Sequence, residues 1–494
     1  MNIKSIKTLG ELKKSGYISK PIKYELRDNL IEALKKKKNL FEGVYGFDTT
    51  VIPDIQRAIL SRHNILLLGL RGQAKTRIAR LLVNLLDEYI PVIKDTDLNE
   101  DPFNPISKSA MRLLDELGDE TPISWMHRSE RYVEKLATPD VSVADLIGDI
   151  DPIKAATQKL SYSDDRVIHY GIVPRSNRCL FVINELPDLQ ARIQVSLFNI
   201  LQEGDIQIRG FKLRLPLDIQ FLFTANPEDY TNRGSIITPL KDRIESQILT
   251  HYPESLDVAR QITLQEAKIL PEQAQSVDVP EIFQDLLERL VFIARESEFV
   301  DEKSGVSSRL SITAYENLVS AAERRMLING ESKTKVRLVD FWGIIPSITG
   351  KIELVYEGEQ EGPYDVALNL LGKAIKEEFL EHFSNPDKLK KSNKVDPYES
   401  IKKWFSQGNS IDLLNDASDK EFELTLDKVD GLKELVWNKS ELDTEDVYAY
   451  AELILHGLAE YNVVNKEILE NQLSFRDLLS DMLNNLGEDD EDDM

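Results

Sequence analysis

One cysteine, Cys179, is all this chain has, so no internal disulfide can staple it. The thiol lies in the apolar run "CLFVINEL", which predicts a buried, inert group rather than a reactive one. Histidine is almost as scarce, with six residues and no metal-ligand spacing among them. No stretch approaches the roughly 20 apolar residues that a membrane span needs. The opening "MNIKSIKTLGELKKSGYISK" is basic but lacks the apolar centre of a signal peptide, so a cytoplasmic location is expected. Positive charge is in deficit too: 61 Lys and Arg against 85 Asp and Glu leave a net charge of −24. Such a surface repels nucleic-acid phosphates and argues against sequence-independent binding to them. The closing "GEDDEDDM" reads as a solvated acidic tail (486–494), with a docking role as the alternative. No internal repeat is visible.

What is present is a 494-residue chain, 41% hydrophobic and 30% charged, too long for one ordinary core. Residues 1–40 suggest solvated helices ending in the lysine run 35–38. "NILLLGL" predicts a short buried strand, and "KTRIARLLVNLLDEYI" a helix with one apolar stripe. A polar stretch at about 95–165 reads as an insert. "RCLFVINELPDL" and "LDIQFLFTANP" predict two more buried strands, with a helix ending at Gly204 and a hairpin around Gly210 between them. From about 255 the pattern is mostly helical, and "PDKLKKSNKVDP" (386–397) is the best linker. The expected fold is a parallel α/β sheet flanked by helices (41–252), then an all-helical lid (253–385) and a helical C-terminal region (386–485).

The chemistry concentrates at three strand ends. In Gly69-Leu70-Arg71-Gly72-Gln73-Ala74-Lys75-Thr76-Arg77 a glycine turn joins the first strand to a helix, the setting of a phosphate-binding loop. Lys75 is placed to meet phosphate and Thr76 to hold Mg²⁺ through its hydroxyl. Ala74 stands where glycine is usual. At positive φ its methyl costs on the order of 1 kcal/mol; elsewhere it costs little. The second strand ends in Asn184-Glu185. Glu185 reads either as a general base or as a first-turn acid, and Asn184 supplies an amide oxygen where an acid would supply charge. The third strand ends at Asn226, which either orients a water or forms the turn before Pro227. "KDR" (241–243) and "SSRLSITAYENL" add Arg243 and Arg309, each read as surface when taken alone.

The order of these elements resembles that of the AAA+ ATPases, in particular the magnesium chelatase ATPase subunits and MoxR-like proteins. "GLRGQAKT" is similar to their Walker A loop and "LFVINEL" to their Walker B strand, usually written Asp-Glu. "LFNILQEGDIQIRGFKLRLPLDIQFLFTANPEDY" is similar to the pre-sensor hairpin and sensor 1 strand. The resemblance covers about 40–350 and implies a P-loop fold that binds and hydrolyses ATP with Mg²⁺. Asn226 is then sensor 1, Arg243 the arginine finger with Arg233 as the alternative, and Arg309 the sensor 2 arginine. Tyr45 and Gly46 in "GVYGFD" become base contacts. It further implies a ring, a hexamer by family habit, acting on a partner as a MoxR-like chaperone or metal-insertion motor, with a separate von Willebrand-type protein. A magnesium chelatase subunit and a weakly hydrolysing assembly scaffold are the alternatives. Ala74 and Asn184 depart from the family pattern, and both bear on turnover rate.

Overall fold

A computed structural model describes residues 5–159, 165–203, 205–208, 214–227, 235–391, 395–439, 442, 444–469 and 472–477. Arg233, Gly204, the hairpin tip at Gly210 and the acidic tail lie outside them. The chain divides into two compact units, 1–252 and 253–494.

Three strands of the first unit are apolar on both faces: β1 (Ile65–Leu68), β3 (Cys179–Asn184) and β4 (Ile219–Ala225). Strands buried on both faces are the mark of a parallel sheet covered by helices. They form its centre, with β2 (Tyr132–Leu136) and β5 (Ser246–Leu249) at the edges, in the order β5-β1-β4-β3-β2 and parallel throughout. The connection from β1 runs towards β2, whereas that from β4 passes over β1 to β5. Neighbouring carboxyl ends thus send the chain in opposite directions, which opens a crevice between β1 and β4.

Helices α1 (Ile22–Lys35), α2 (Val51–Leu60) and α3 (Lys75–Leu81) belong to the same unit. Alternation assigns the faces. Ile65, Leu67, Leu180, Val182 and Leu222 pack with Ile55, Ile59, Ile78 and Ala79 of α2 and α3. Leu66, Leu68, Phe181, Ile183, Phe221 and Phe223 pack on the opposite side with Ile193 and Leu197. Stepping two residues along each strand carries Gly69, Asn184, Thr224 and Asn226 onto the face that α3 covers.

The stretch expected as an insert is only partly one. It contributes β2, an edge strand missed because "YVEKL" is polar and only half buried. Arg131, just before β2, forms a buried bidentate ion pair with Glu25 of α1 (Nη1 to Oε1 2.6 Å, Nη2 to Oε2 2.7 Å) and donates through Nε to the Arg178 carbonyl at 2.9 Å. Removing one partner of such a pair costs about 3–5 kcal/mol because the other charge stays buried. The start of β2 is therefore held firmly. The hairpin expected near Gly210 forms from Asp205–Gln207 and Arg214–Pro216.

The second unit is mainly helical. Its core includes residues of α4 (Glu281–Glu296), α5 (Arg309–Ile328), α6 (Pro363–His382) and α7 (Val447–Glu460). It is not all helix: β6 (Ile411–Leu414), β7 (Asn465–Leu469) and β8 (Gln472–Arg476) form an antiparallel sheet in the order β6-β8-β7. These strands are short and alternate, with Ile411, Leu413, Leu473 and Phe475 turned into the core. The expected linker at 386–397 separates nothing. Phe379 and Phe383 before it and Tyr398 and Ile401 after it share one core, and the Tyr398 hydroxyl donates to the Ser384 carbonyl at 2.6 Å. Among the described residues no helix is long and apolar enough to cross a membrane.

Candidate functional site

The loop after β1 is tied down at several points. The Gly69 N–H donates to the Ala225 carbonyl at the end of β4, 3.2 Å away. Gln73 is buried, and its Oε1 accepts from the Thr250 hydroxyl at 2.7 Å. The Tyr252 hydroxyl donates to the Arg71 carbonyl at 3.0 Å. A Cβ on Gly69 would collide with the Thr250 hydroxyl and the Gln73 side chain, so glycine is required there for close approach. Gly72 takes φ 75°, which glycine adopts freely.

Ala74 is left-handed as well, at φ 54° and ψ 13°. Its Cβ therefore opposes the loop by on the order of 1–2 kcal/mol. Ala74→Gly is expected to stabilise the first unit by about 0.5–1 kcal/mol, the strain relief being partly offset by the freer unfolded chain. Thermal melting should rise by a few degrees, and a fall would show that the left-handed turn is not held in solution. Ala74 also offers no side-chain acceptor to the helix it opens, and the first turn of α3 contains no acid.

Lys75 folds over this loop. Its Nζ donates to the Gly69 carbonyl, to the Leu70 carbonyl at 2.8 Å and to Asn226 Oδ1 at 2.9 Å. Lysine and asparagine thereby meet at the crevice between β1 and β4. Thr76 and Arg77 follow in the first turn, both half-buried.

The ends of β3 and β4 join in one hydrogen-bond chain. The Glu185 N–H donates to Thr224 Oγ1 at 3.1 Å, and the Thr224 hydroxyl donates to Asn184 Oδ1 at 3.1 Å. The Asn184 amide in turn donates to Glu134 Oε1. Glu185 is left-handed (φ 56°, ψ 48°), one of nine described non-glycine residues, Ala74 among them, with positive φ.

Lys75 and Asn226 are thus brought together, as are Asn184 and Glu185. Arg243 is elsewhere: its guanidinium bonds to Gln202 Oε1 (3.2 and 3.0 Å) and the Pro239 carbonyl (2.7 Å), and lies 5.1 Å from the centre of the Phe198 ring. Arg309 opens α5 in the second unit and is exposed. Tyr45 is exposed and Gly46 has φ 76°. Their neighbour Phe47 packs edge-on against His251 (4.9 Å between centroids), beside the Tyr252 that reaches the loop. Cys179 is buried, and burial pushes its thiol up to about 12, which suits an inert group. Two contributors had no assigned part in the sequence reading: Thr224, visible only as a hydroxyl in an apolar strand, and Glu134, hidden in the strand that was missed. Among the described residues no group of three or more His, Cys, Asp or Glu is arranged to hold a metal. Any cation here would rely on the oxygens of Thr76 and Asn184, which are hard donors suited to Mg²⁺.

No family model matches the sequence. No curated protein matches it either. Among solved structures, the chain is similar to a protein from Cytophaga hutchinsonii assigned as an ATPase, at 18% identity over 73% of this chain and 97% of that one, with a TM-score of 0.27. It is similar to NtrX from Brucella abortus in complex with ADP, at 13% identity over 71% of this chain and 66% of that one (TM-score 0.35). Hsp104 in its closed state with ATPγS and casein is a third, at 14% identity over 63% of this chain and half of that one (TM-score 0.38). All three superpositions are loose. The α/β fold with a P-loop-type turn rests on this chain's own strand order and loop.

Proposed function

We propose that this protein is an AAA+ ATPase that binds ATP with Mg²⁺ and hydrolyses it at the carboxyl ends of β1, β3 and β4. The observation that carries the reading is the convergence of Lys75 and Asn226 (2.9 Å) beside the Asn184–Glu185 strand end. Backbone N–H groups of the loop that follows Gly69, through Thr76, would cradle the phosphates, and Lys75 would exchange its in-chain carbonyls for phosphate oxygens. Mg²⁺, held by the Thr76 hydroxyl and Asn184, would supply charge neutralisation of the transferring phosphoryl group. Glu185 would take the proton of the attacking water, and Asn226 would orient that water. Tyr45 and Gly46 would lie on the base side.

An arginine that serves a neighbouring copy has to reach outward from its own loop, and the hydrogen bonds of Arg243 are solvent-exposed ones to Gln202 and Pro239. This favours Arg243 as a finger in a ring; a hexamer, and Arg309 as the sensor 2 arginine, are proposed from the order of the motifs. A cytoplasmic MoxR-like remodelling or metal-insertion role, with a separate von Willebrand-type partner, is the client-side proposal; a magnesium chelatase subunit is the alternative. Asn184 favours a second reading, a slow ATPase that uses nucleotide mainly to assemble. Phosphate release from ATP and Mg²⁺ by the purified protein tests the proposal: turnover supports the motor, whereas nucleotide binding without turnover selects the scaffold.

A further inference from the structure

We propose that Glu134 supplies the negative charge that Asn184 lacks, making the Mg²⁺ site a carboxylate on β2 acting through an amide on β3. The inference rests on the nucleotide-site reading above. Glu134 is a positioning residue in this scheme, because it acts on the cation through Asn184.

The geometry is specific. Leu136 pairs with Asn184 and Glu134 with Val182, so alternation sets Glu134 and Asn184 on the same sheet face, the one covered by α3. A carboxylate can only accept, so it captures the donor end of the Asn184 amide and dictates which end is which. The amide oxygen is thereby turned away from Glu134, to the side where the Thr224 hydroxyl reaches it at 3.1 Å. A hard cation or its bound water needs an oxygen, and Glu134 ensures that the neutral side chain presents one. The charge behind the amide makes that oxygen a better ligand, as outer partners of metal ligands commonly do.

Glu134 is also fixed to the element that carries Thr76. Its Oε2 accepts from Arg80 at 3.2 Å and from the Tyr132 hydroxyl at 3.0 Å. Arg80 and Thr76 are four residues apart on α3 and share one helical face. The Arg80 side chain is 65% exposed and that of Glu134 24%, so water weakens this ion pair. The Glu25–Arg131 pair, at the residue before β2, holds the strand in register.

The test measures the affinity for a fluorescent ATP analogue twice, with saturating Mg²⁺ and with EDTA, and takes the ratio. Glu134→Gln keeps the shape and the acceptor for Tyr132 and Arg80 but removes the charge. The ratio is expected to fall about 10- to 100-fold, with the affinity in EDTA unchanged or tighter. Glu134→Gln combined with Asn184→Asp returns one carboxylate to the pair with the hydrogen-bond roles exchanged, and should restore the ratio. A purely structural Glu134 would instead lower both affinities together. A wild-type ratio in Glu134→Gln, or no restoration in the double variant, overturns the proposal. Should Glu134→Gln melt early, the ratio is read below its melting temperature, where a wild-type ratio still overturns the proposal. Failure of the unmodified protein to bind the analogue even in EDTA would strike the nucleotide-site reading itself.

Discussion

Lys75→Ala is expected to lower ATP affinity by about 100- to 1,000-fold and to remove any phosphate release. The magnitude follows from losing one or two hydrogen bonds between an ammonium and phosphate oxygens, each worth about 1.5–3 kcal/mol. Lysine reaches the crevice from the first turn of α3, where its Nζ lies 2.9 Å from Asn226 Oδ1. The structural penalty is small by comparison. The bonds lost inside the chain go to Asn226 and to the carbonyls of Gly69 and Leu70, which retain their backbone surroundings. Titration calorimetry with ATP reads the affinity, and thermal melting reports the fold. Unchanged ATP affinity in a normally folded Lys75→Ala protein would sink the nucleotide-site reading.

Glu185→Gln is expected to reduce turnover by about 10²- to 10⁴-fold, the range that a general base contributes. Nucleotide affinity should survive, since the substitution changes neither the backbone nor the N–H that donates to Thr224 Oγ1 at 3.1 Å. This contrast separates the two strand ends: Lys75 acts in binding, Glu185 in chemistry. Single-turnover phosphate release beside equilibrium nucleotide binding makes the measurement. Equal loss of both would mean that Glu185 holds the loop in shape; full turnover would return it to the role of a first-turn acid.

Much of the candidate site could be read from residue order, because each polar residue follows directly on an apolar run. Gly69 after "ILLL", Asn184 at the end and Glu185 just beyond the end of "CLFVIN", and Asn226 after "IQFLFTA" stand where a buried parallel strand leaves the sheet at its carboxyl end. The conformation of Ala74 was not legible: its methyl is affordable or costly according to φ, and only the folded loop sets φ at 54°. The insert hid β2 because an edge strand buries one face poorly and so carries no continuous apolar signal. The break expected at 386–397 failed for a related reason. Charge and proline mark a turn, but Tyr398 and Ile401 beyond it were free to rejoin the same core as Phe379.

The sequence by itself determined the buried strands, the glycine loop and the order in which loop, acid and amide arrive, since these depend on local alternation and on neighbours in the chain. It also located the weak point, the neutral Asn184. Only the tertiary structure decided what answers that weakness. Glu134 is 50 residues away in the chain and stands in an unremarkable half-polar segment. It becomes the neighbour of Asn184 through the pairing of β2 with β3, a register set by long-range packing and by the buried Arg131–Glu25 pair. Pairing between distant strands has no local signature, so the partner of the missing acid could be found only once the sheet was assembled.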